Sequence, residues 1–298
     1  MKPLVVISTA MASLGVNKLR SGLTLLGIMI GVAAVITLMA IGRGAQESIT
    51  ANIQSLGTNL LFVRPQVQSR EGLLSIGGNS NLTLDDAYAL LDPVFAPSVK
   101  AVAPELTTAG RISALGNDTF AQVMGVTPEY QQVRNSPVSS GIFISPPHIQ
   151  DRSEVAVLGA QVAETLFGLR DPVGQKIRIN GRQFTVIGVL ERKGGTAQGL
   201  LDNQVLVPIT TAYYRLWAQR TTQGSVTVHN INVEAMSSDV MDRAKEEIEI
   251  LLRLRHRITG QDDFTVTSQE ETIETLQATT RTFVVFLGAI ASISLLVG

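Results

Sequence analysis

Residues 21–42 read SGLTLLGIMIGVAAVITLMAIG and contain no charged side chain. As a helix this run is about 33 Å long, which is enough to cross the roughly 30 Å hydrocarbon core of a bilayer. A buried helix of a soluble core rarely needs so long an uncharged run. A cleaved signal peptide does not fit, because the stronger apolar run follows the small residues at 10–12. We therefore expect residues 21–42 to form a transmembrane helix.

A second uncharged run, TFVVFLGAIASISLLVG at 282–298, ends the chain. It spans only about 25 Å as a helix. A membrane helix that stopped there would leave its last carbonyl groups without partners in lipid. The sequence therefore predicts an incomplete second transmembrane helix, in a chain cut from a longer natural protein.

Composition and charge point to a membrane protein as well. The 298 residues include 24 Lys plus Arg, 25 Asp plus Glu and no Cys, and only 16% are charged, against about 25% in an average soluble domain. A net charge of −1 argues against nucleic-acid binding, which needs a basic face. The absence of Cys excludes a disulfide framework, a thiol nucleophile and a Cys-type zinc site.

The basic residues near the first run set its orientation. Lys2, Lys18 and Arg20 precede residues 21–42, whereas Arg43 is the one basic residue shortly after them. The positive-inside rule then places the N-terminus in the cytoplasm and residues 43–281 outside it. The expected location is the inner (plasma) membrane, crossed more than once.

The segment 1–20 is apolar from residue 3 to residue 16 and ends at the basic pair Lys18 and Arg20. This pattern predicts an interfacial helix on the cytoplasmic side, with the two basic residues as anchors at the membrane edge. A disordered terminus is the alternative. Within the first span, Gly27 and Gly31 form a GxxxG pair, which lets two membrane helices approach closely.

Both predicted spans continue as polar helices. Residues 43–57 keep helical spacing, and residues 269–281 follow a capping box in which Ser268 stands three residues before Glu271. Each extension is about 20 Å long. We expect the two to pack as a stalk that lifts an outer domain off the membrane. Two unrelated amphipathic helices lying on that domain are the alternative.

Residues 58–268 combine helix and strand patterns. The clearest signal is 176–190, where KIRI and RQFTVIGVL flank Asn180-Gly181, a two-residue hairpin turn. Thr83 with Asp86 forms a capping box, and 99–126 reads as short strands broken at 116–118. Because the chain must return to the membrane near its exit, 58–110 plus 226–268 are predicted to form one membrane-proximal α/β subdomain. Residues 111–225 would then be a β-rich insertion.

No catalytic constellation is present in the sequence. A phosphate-binding GxxxxGK[ST] loop and a GxSxG elbow are both missing. The three histidines lack metal-ligand spacing, and Glu270, Glu271 and Glu274 read as the polar face of a helix. The three arginines at 253, 255 and 257 likewise read as the solvated face and end of a helix over 239–255. We expect no enzyme activity and no catalytic, cofactor or metal site in this chain.

Several stretches, taken in order, resemble permeases of the macrolide-exporter (MacB) type of ABC transporter, with a related FtsX-like branch. They are NKLRSGLTLLGIMIGVAAVITLMAIGRGAQESI, LGTNLLFVRP, VAVLGAQVAETLFG, DPVGQKIRINGRQFTVIGVLERKG and FLGAIASISLLVG. The resemblance covers essentially the whole chain. It implies a membrane protein of the α+β class, in which transmembrane helices with stalk extensions flank a porter-like α/β subdomain carrying an inserted sabre-like subdomain.

The resemblance also implies a mechanism and a set of partners. A separate cytoplasmic ATPase, which holds the ATP and Mg²⁺, would drive movements of the outer domain that expel a substrate (mechanotransmission). A second permease copy, identical or different, would complete the membrane part, and an adaptor protein and an outer-membrane channel would extend it across a second membrane. An FtsX-like regulator that activates an envelope enzyme and transports nothing is the alternative. Neither the substrate nor the ATPase-contact residues follow from these residues.

Overall fold

A computed structural model describes residues 18–54, 59–66, 82–194, 202–216 and 225–297. The chain divides into two units, Met1–Thr50 with Ile273–Gly298, and Ala51–Thr272. The predicted interfacial helix at 3–16 lies outside the described residues.

The smaller unit contains parts of two long helices. Helix α1 (Lys18–Gln54) continues without a break through the predicted first span and through the predicted stalk as far as Gln54. Helix α8 (Gln269–Val297) likewise continues through the second predicted stalk and span. Among the residues that the structure describes, no helix is both long and apolar enough to cross a membrane.

Unit Ala51–Thr272 is built on one mixed sheet. Its described strands are β1 (Leu60–Pro65), β2 (Val99–Ala114), β3 (Asn117–Val126), β4 (Val138–Gly141), β5 (Val155–Leu158), β6 (Lys176–Ile179), β7 (Arg182–Leu190), β8 (Gln204–Pro208), β9 (Asn230–Ala235) and β10 (Phe264–Ser268). They follow the order β10-β1-β9-β2-β3-β8-β5-β7-β4, and β6 joins β2 to β7.

Helices and helical turns connect the strands. They are α2 (Leu84–Ala89), α3 (Tyr130–Val133), α4 (Pro146–Gln150), α5 (Ala160–Phe167), α6 (Ile209–Thr211), a π-helical turn (Ala212–Leu216), a 3₁₀ turn (Ser238–Val240) and α7 (Met241–His256). The predicted helices at 160–167 and 239–255 are thus confirmed, the second with a start two residues later and an end one residue later.

Six of the strands close on themselves as a ring. β2 pairs with β3, β3 with β8, β8 with β5, β5 with β7, β7 with β6, and β6 returns to β2. Side chains of alternate residues point into the ring and are fully or almost fully buried, among them Ile112, Val123, Ile177, Phe184 and Val205. The ring therefore has its own apolar filling and no exposed edge along those six strands.

Strand β2 connects the ring to the rest of the sheet. Its first half pairs with β9 and its second half with β3, and Glu105 is the residue that faces both neighbours. The prediction of short strands over 99–126 was wrong, because β2 is 16 residues long and turns only at Leu115–Gly116. The predicted subdomain boundary at 110/111 falls inside this strand. Whether 111–225 behaves as a separate subdomain stays a prediction.

One turn formed as predicted, and one glycine allows a close backbone approach. Asn180 and Gly181 both have positive φ, 49° and 85°, and join β6 to β7 in the predicted hairpin. Gly125 faces the turn after β8, and a Cβ there would stand 2.5 Å from the Cβ of Ala212. The backbone of β3 can therefore approach this turn closely only because residue 125 has no side chain.

Candidate functional site

The first and last strands of the larger unit are neighbours at the edge of the sheet. β1 and β10 run antiparallel, with Leu61 opposite Ser268. β1 follows the segment after α1, and β10 leads directly into α8. Residues 60–61 and 268–272, here called the junction, therefore bring the entry and exit of the α/β unit to the same place.

The start of α8 is fixed by the capping box that the sequence predicted. The backbone N–H of Glu271 donates to Ser268 Oγ at 2.9 Å, and the backbone N–H of Ser268 donates to Glu271 Oε2 at 3.0 Å. The other carboxylate oxygen of Glu271 accepts from Lys245 Nζ on α7 at 2.7 Å. The hydrogen bond and charge of Lys245 lower the pKa of Glu271. The first turn of α8 is thereby attached to α7 as well as to β10.

At the opposite end of β10, a second polar cluster joins three segments. This cluster, here called the latch, consists of Asp86 on α2, Arg255 and His256 on α7, and Asp263 just before β10. Asp86 is 3% exposed and accepts from Arg255 Nε at 2.7 Å. His256 Nε2 lies 3.2 Å from Asp86, and its Nδ1 lies 2.9 Å from Asp263.

The two partners of His256 decide its protonation state. Ionised carboxylates accept hydrogen bonds and cannot donate them, so an imidazole held between two of them satisfies both only when both ring nitrogens carry protons. The hydrogen bond to Asp86, together with the hydrogen bond and charge of Asp263, raises the pKa of His256 to about 8 against the opposing effect of burial. His256 is therefore a cation at neutral pH.

Asp86 is the central acceptor of the latch. Burial alone would raise its pKa, but hydrogen bonds from His256, Thr83 and Arg255 hold the pKa well below the usual value. In the predicted capping box, the backbone N–H of Thr83 donates to Asp86 Oδ2 at 3.0 Å and the backbone N–H of Asp86 donates to Thr83 Oγ1 at 3.2 Å. The hydroxyl of Thr83 also donates to Asp86 at 2.6 Å. One carboxylate thus caps α2 and anchors the end of α7.

Helix α7 makes further charged contacts along its length. Its Glu247 accepts from the backbone N–H and hydroxyl of Ser98, and its Arg253 forms a bidentate pair with Asp262 at 2.6 and 2.8 Å. With the latch and the Lys245–Glu271 pair, α7 is bound to α2, to the segment before β2, and to both ends of β10.

A third polar cluster lies on the other face of the sheet, where β2 changes partner. Glu105 is 6% exposed and accepts from Asn232 Nδ2 at 2.6 Å and from Asn230 Nδ2 at 3.2 Å. Arg134, which follows α3, lies 3.7 Å from the same carboxylate. A buried carboxylate that loses such partners is left uncompensated. These contacts hold α3 over the point at which the two halves of β2 meet.

Sequence reasoning missed the latch. Arg255 is exposed, as predicted for the solvated face of this helix, but its guanidinium also donates to the buried Asp86, which lies 169 positions away in the chain. His256 was considered only as a metal ligand. The one signal available in the sequence was Asp86 in its capping box, since a buried capping carboxylate needs a counter-charge that no neighbouring residue supplies.

The predicted membrane residues all lie in α1. Lys18 is exposed, and Arg20 is in the same first turn. Gly27 is half-buried and Gly31 is buried. Their roles as anchors and as a helix-packing pair stay predictions.

The comparisons with known proteins agree on one family. A family model described as the MacB-like periplasmic core domain matches residues 21–251. The curated protein "Macrolide export ATP-binding/permease protein MacB" of Bdellovibrio bacteriovorus is 37% identical over 290 residues, covering 96% of this chain and 43% of the relative. The protein of the same description from Rhodospirillum rubrum is 38% identical over 289 residues, covering 96% and 42%. The chain thus spans less than half the length of these relatives.

Two solved structures have the same fold. The periplasmic region of MacB from Actinobacillus actinomycetemcomitans aligns with a TM-score of 0.60 at 20% identity, covering 77% of this chain and 97% of that one. The extracellular domain of the noncanonic ABC-type transporter YknZ from Gram-positive bacteria aligns with a TM-score of 0.56 at 18% identity, covering 70% and 100%. At these identities the likeness establishes the α/β architecture of the larger unit.

Proposed function

Because the chain belongs to the family of the MacB-like periplasmic core domain, we propose that it is part of a permease subunit of an ABC exporter, anchored in the inner membrane and working by mechanotransmission. Residues 43–281 lie outside the cytoplasm, and the N-terminus lies inside. The uncharged run at 21–42 and the basic residues before it support this placement.

The junction is the observation that carries this proposal. Strands β1 and β10 meet with Leu61 opposite Ser268, and the exit strand is attached to α7 at both ends. Movement of α8 relative to α1 therefore acts on two neighbouring hydrogen-bonded strands. From there it passes through α7 to α2 and the remaining sheet. An arrangement of this kind converts a change in the position of α8 relative to α1 into a change in the conformation of the larger unit.

The motor and the other partners belong to the same proposal. A separate cytoplasmic ABC ATPase supplies ATP hydrolysis, and a second permease copy completes the membrane part. Relatives of this chain are described as "ATP-binding/permease" proteins, which supports the coupling of ATP hydrolysis to a permease of this family. An adaptor protein and an outer-membrane channel are further partners in an envelope that has two membranes.

A distance measurement tests the proposal. Spin labels at positions 46 and 274 report on α1 and α8 in the full-length protein, purified with its ATPase in lipid nanodiscs. Double electron–electron resonance should show a different label separation with a trapped ATP analogue than without nucleotide. An ATPase variant that binds no nucleotide is the control. An unchanged distribution in a complex that hydrolyses ATP would overturn mechanotransmission through these helices.

A phenotype separates export from the FtsX-like alternative. Deletion of an exporter should raise intracellular accumulation of its substrate and leave cell-wall hydrolysis unchanged. A regulator of an envelope enzyme should give the reverse. Complementation with a variant whose labels report no movement distinguishes loss of the protein from loss of the movement.

A further inference from the structure

A groove runs along the outside of the six-stranded ring, between the two hairpin turns at Leu115–Gly116 and Asn180–Gly181. It has a volume of about 630 Å³, and charged or polar side chains line much of it: Arg111, Ser113, Asp118, Lys176, Arg178 and Gln183. Four of these stand in register across neighbouring strands, because Ser113 is opposite both Asp118 and Arg178, and Arg178 is opposite Gln183. The groove therefore lies on strands whose backbones are hydrogen-bonded to one another.

The groove carries a local excess of positive charge. Three cations and one acid line it, which leaves +2 in a chain whose overall charge is −1. Arg111 is paired with Asp118 at 3.0 Å. Lys176 and Arg178 are exposed, and neither forms an ion pair with any residue in the described part of the chain. Two unpaired cations therefore face solvent inside a concave surface.

The spacing of these two cations suits one kind of ligand. Lys176 and Arg178 are two residues apart on β6, so both point to the outer face at a separation of about 6.6 Å along the strand. Alternate side chains of an extended peptide have the same spacing. Arg111 on the neighbouring strand β2 adds a third cation to the same groove. Alternating carboxylates on an extended chain can reach all of them.

Leu115 adds an apolar group at one end of the groove. It is 58% exposed and has φ 52°, a left-handed conformation that is unfavourable for a bulky side chain. The equivalent place in the other turn is occupied by Asn180, a residue that accepts this conformation readily. The two-residue turn between β2 and β3 requires positive φ at both of its positions, and it therefore holds an exposed apolar side chain at the end of the groove.

We propose that this groove binds an extended acidic peptide segment of a protein partner, with carboxylates on Lys176, Arg178 and Arg111 and an apolar side chain against Leu115. The site lies toward the far end of β2 from the residues that pair with β9, since Glu105 and Ile112 are about 23 Å apart along the strand. It is therefore separate from the junction. Binding there requires neither the ATPase nor a membrane, so the test does not depend on the function proposed above.

Fluorescence anisotropy with a labelled peptide tests the site. The probe is a fluorescein-tagged Glu-Glu-Leu-Glu-Glu peptide, and the comparison probe is Gln-Gln-Leu-Gln-Gln, both titrated with the full chain in detergent micelles. The acidic peptide should bind, and its binding should vanish in about 1 M salt, where the screening length is about 3 Å. The neutral peptide should bind at least tenfold more weakly.

Matched variants locate the binding. Arg178→Glu should weaken binding of the acidic peptide about tenfold, whereas Arg170→Glu, the same charge change at an exposed arginine outside the groove, should change it less than twofold. Leu115→Asn should also weaken binding while raising the melting temperature, because asparagine relieves the unfavourable conformation. If Leu115 made no contact with the peptide, Leu115→Asn would raise the melting temperature without weakening peptide binding.

Three outcomes would overturn the proposal. The first is equal binding of the acidic and neutral peptides. The second is equal weakening by Arg178→Glu and Arg170→Glu, which would mean that only the net charge matters. The third is displacement of bound peptide by inorganic phosphate at equal concentration, which would identify an anion site in place of a peptide site.

Discussion

At the scale of single residues, the latch places two cations and a hydroxyl around one buried carboxylate. Asp86 accepts from Thr83, Arg255 and His256, and so its ionised form is stabilised by one local and two distant partners. The local contact could be predicted from the sequence, because a capping box depends on a spacing of three residues. The distant contacts could not, because they arise only when α7 packs beside α2.

Asp86→Asn should lower the free energy of unfolding by about 3 kcal/mol, because it leaves two cations facing a neutral amide and weakens the cap of α2. Chemical denaturation of the purified protein measures this loss. Asp85→Asn is the matched control, since Asp85 is exposed in the same turn and should cost less than about 1 kcal/mol. Equal effects of the two changes would refute the role assigned to Asp86.

His256 predicts a pH dependence of stability. Its pKa is about 8 in the folded protein and 6.5 as the ordinary value. Since the folded pKa is the higher one, the stabilisation is complete below pH 6.5 and is lost as the pH rises through 8, and it amounts to about 2 kcal/mol. Unfolding titrations at about pH 6 and pH 9 measure the loss.

His256→Gln provides the control, because that variant should lack this component while keeping the contributions of other groups. His229 and Lys193 are two such groups, and burial lowers the pKa of each. Their contributions change with pH in the opposite direction to that of His256. An identical pH profile in the wild-type protein and the variant would show that His256 titrates as it does in the unfolded chain.

At the scale of secondary-structure elements, the sequence predicted best where one local rule decides the outcome. The Asn180–Gly181 turn and the two capping boxes were predicted at the correct residues. Strand β2 was not, because its burial pattern changes where its neighbour changes from β9 to β3. A strand that contacts different partners along its length has no single alternation of polar and apolar residues.

Gly125→Ala tests the close packing of β3 against the turn that follows β8. The added Cβ would stand 2.5 Å from the Cβ of Ala212 and 3.2 Å from the Cα of Ile209. We expect a loss of about 1–3 kcal/mol in the free energy of unfolding, as for other overpacked cores. Gly260→Ala is the control, because a Cβ there meets nothing within 4 Å, and it should be close to neutral.

At the scale of the whole molecule, the resemblance seen in the sequence and the comparisons agree on the family. The order of α/β, β-rich and α/β segments could be read from the chain. The closure of the ring could not, because it depends on β6 pairing with β2 across more than sixty intervening residues. Pairings between distant segments leave no mark in local hydrophobic patterns.

The continuous sheet predicts how the larger unit unfolds. Since β2 belongs both to the ring and to the β1–β9–β10 part, residues 51–272 should melt in one transition. Differential scanning calorimetry of a fragment spanning those residues should give equal calorimetric and van't Hoff enthalpies. Two resolved transitions would instead support independent subdomains at 58–110 with 226–268 and at 111–225.

The antiparallel pairing of β1 with β10 also determines which forces the unit can withstand. The start of β1 and the end of β10 lie at the same end of the pair, with Leu61 opposite Ser268, and the hydrogen bonds between the strands run across them. A force that separates residues 60 and 268 would break these hydrogen bonds one after another, beginning at that end of the pair. A pull on both residues in the same direction would instead load the whole pair at once. The larger unit therefore resists a force that pulls both strands in the same direction better than a force that moves them apart. A motor that acts on it has to pull both strands in the same direction.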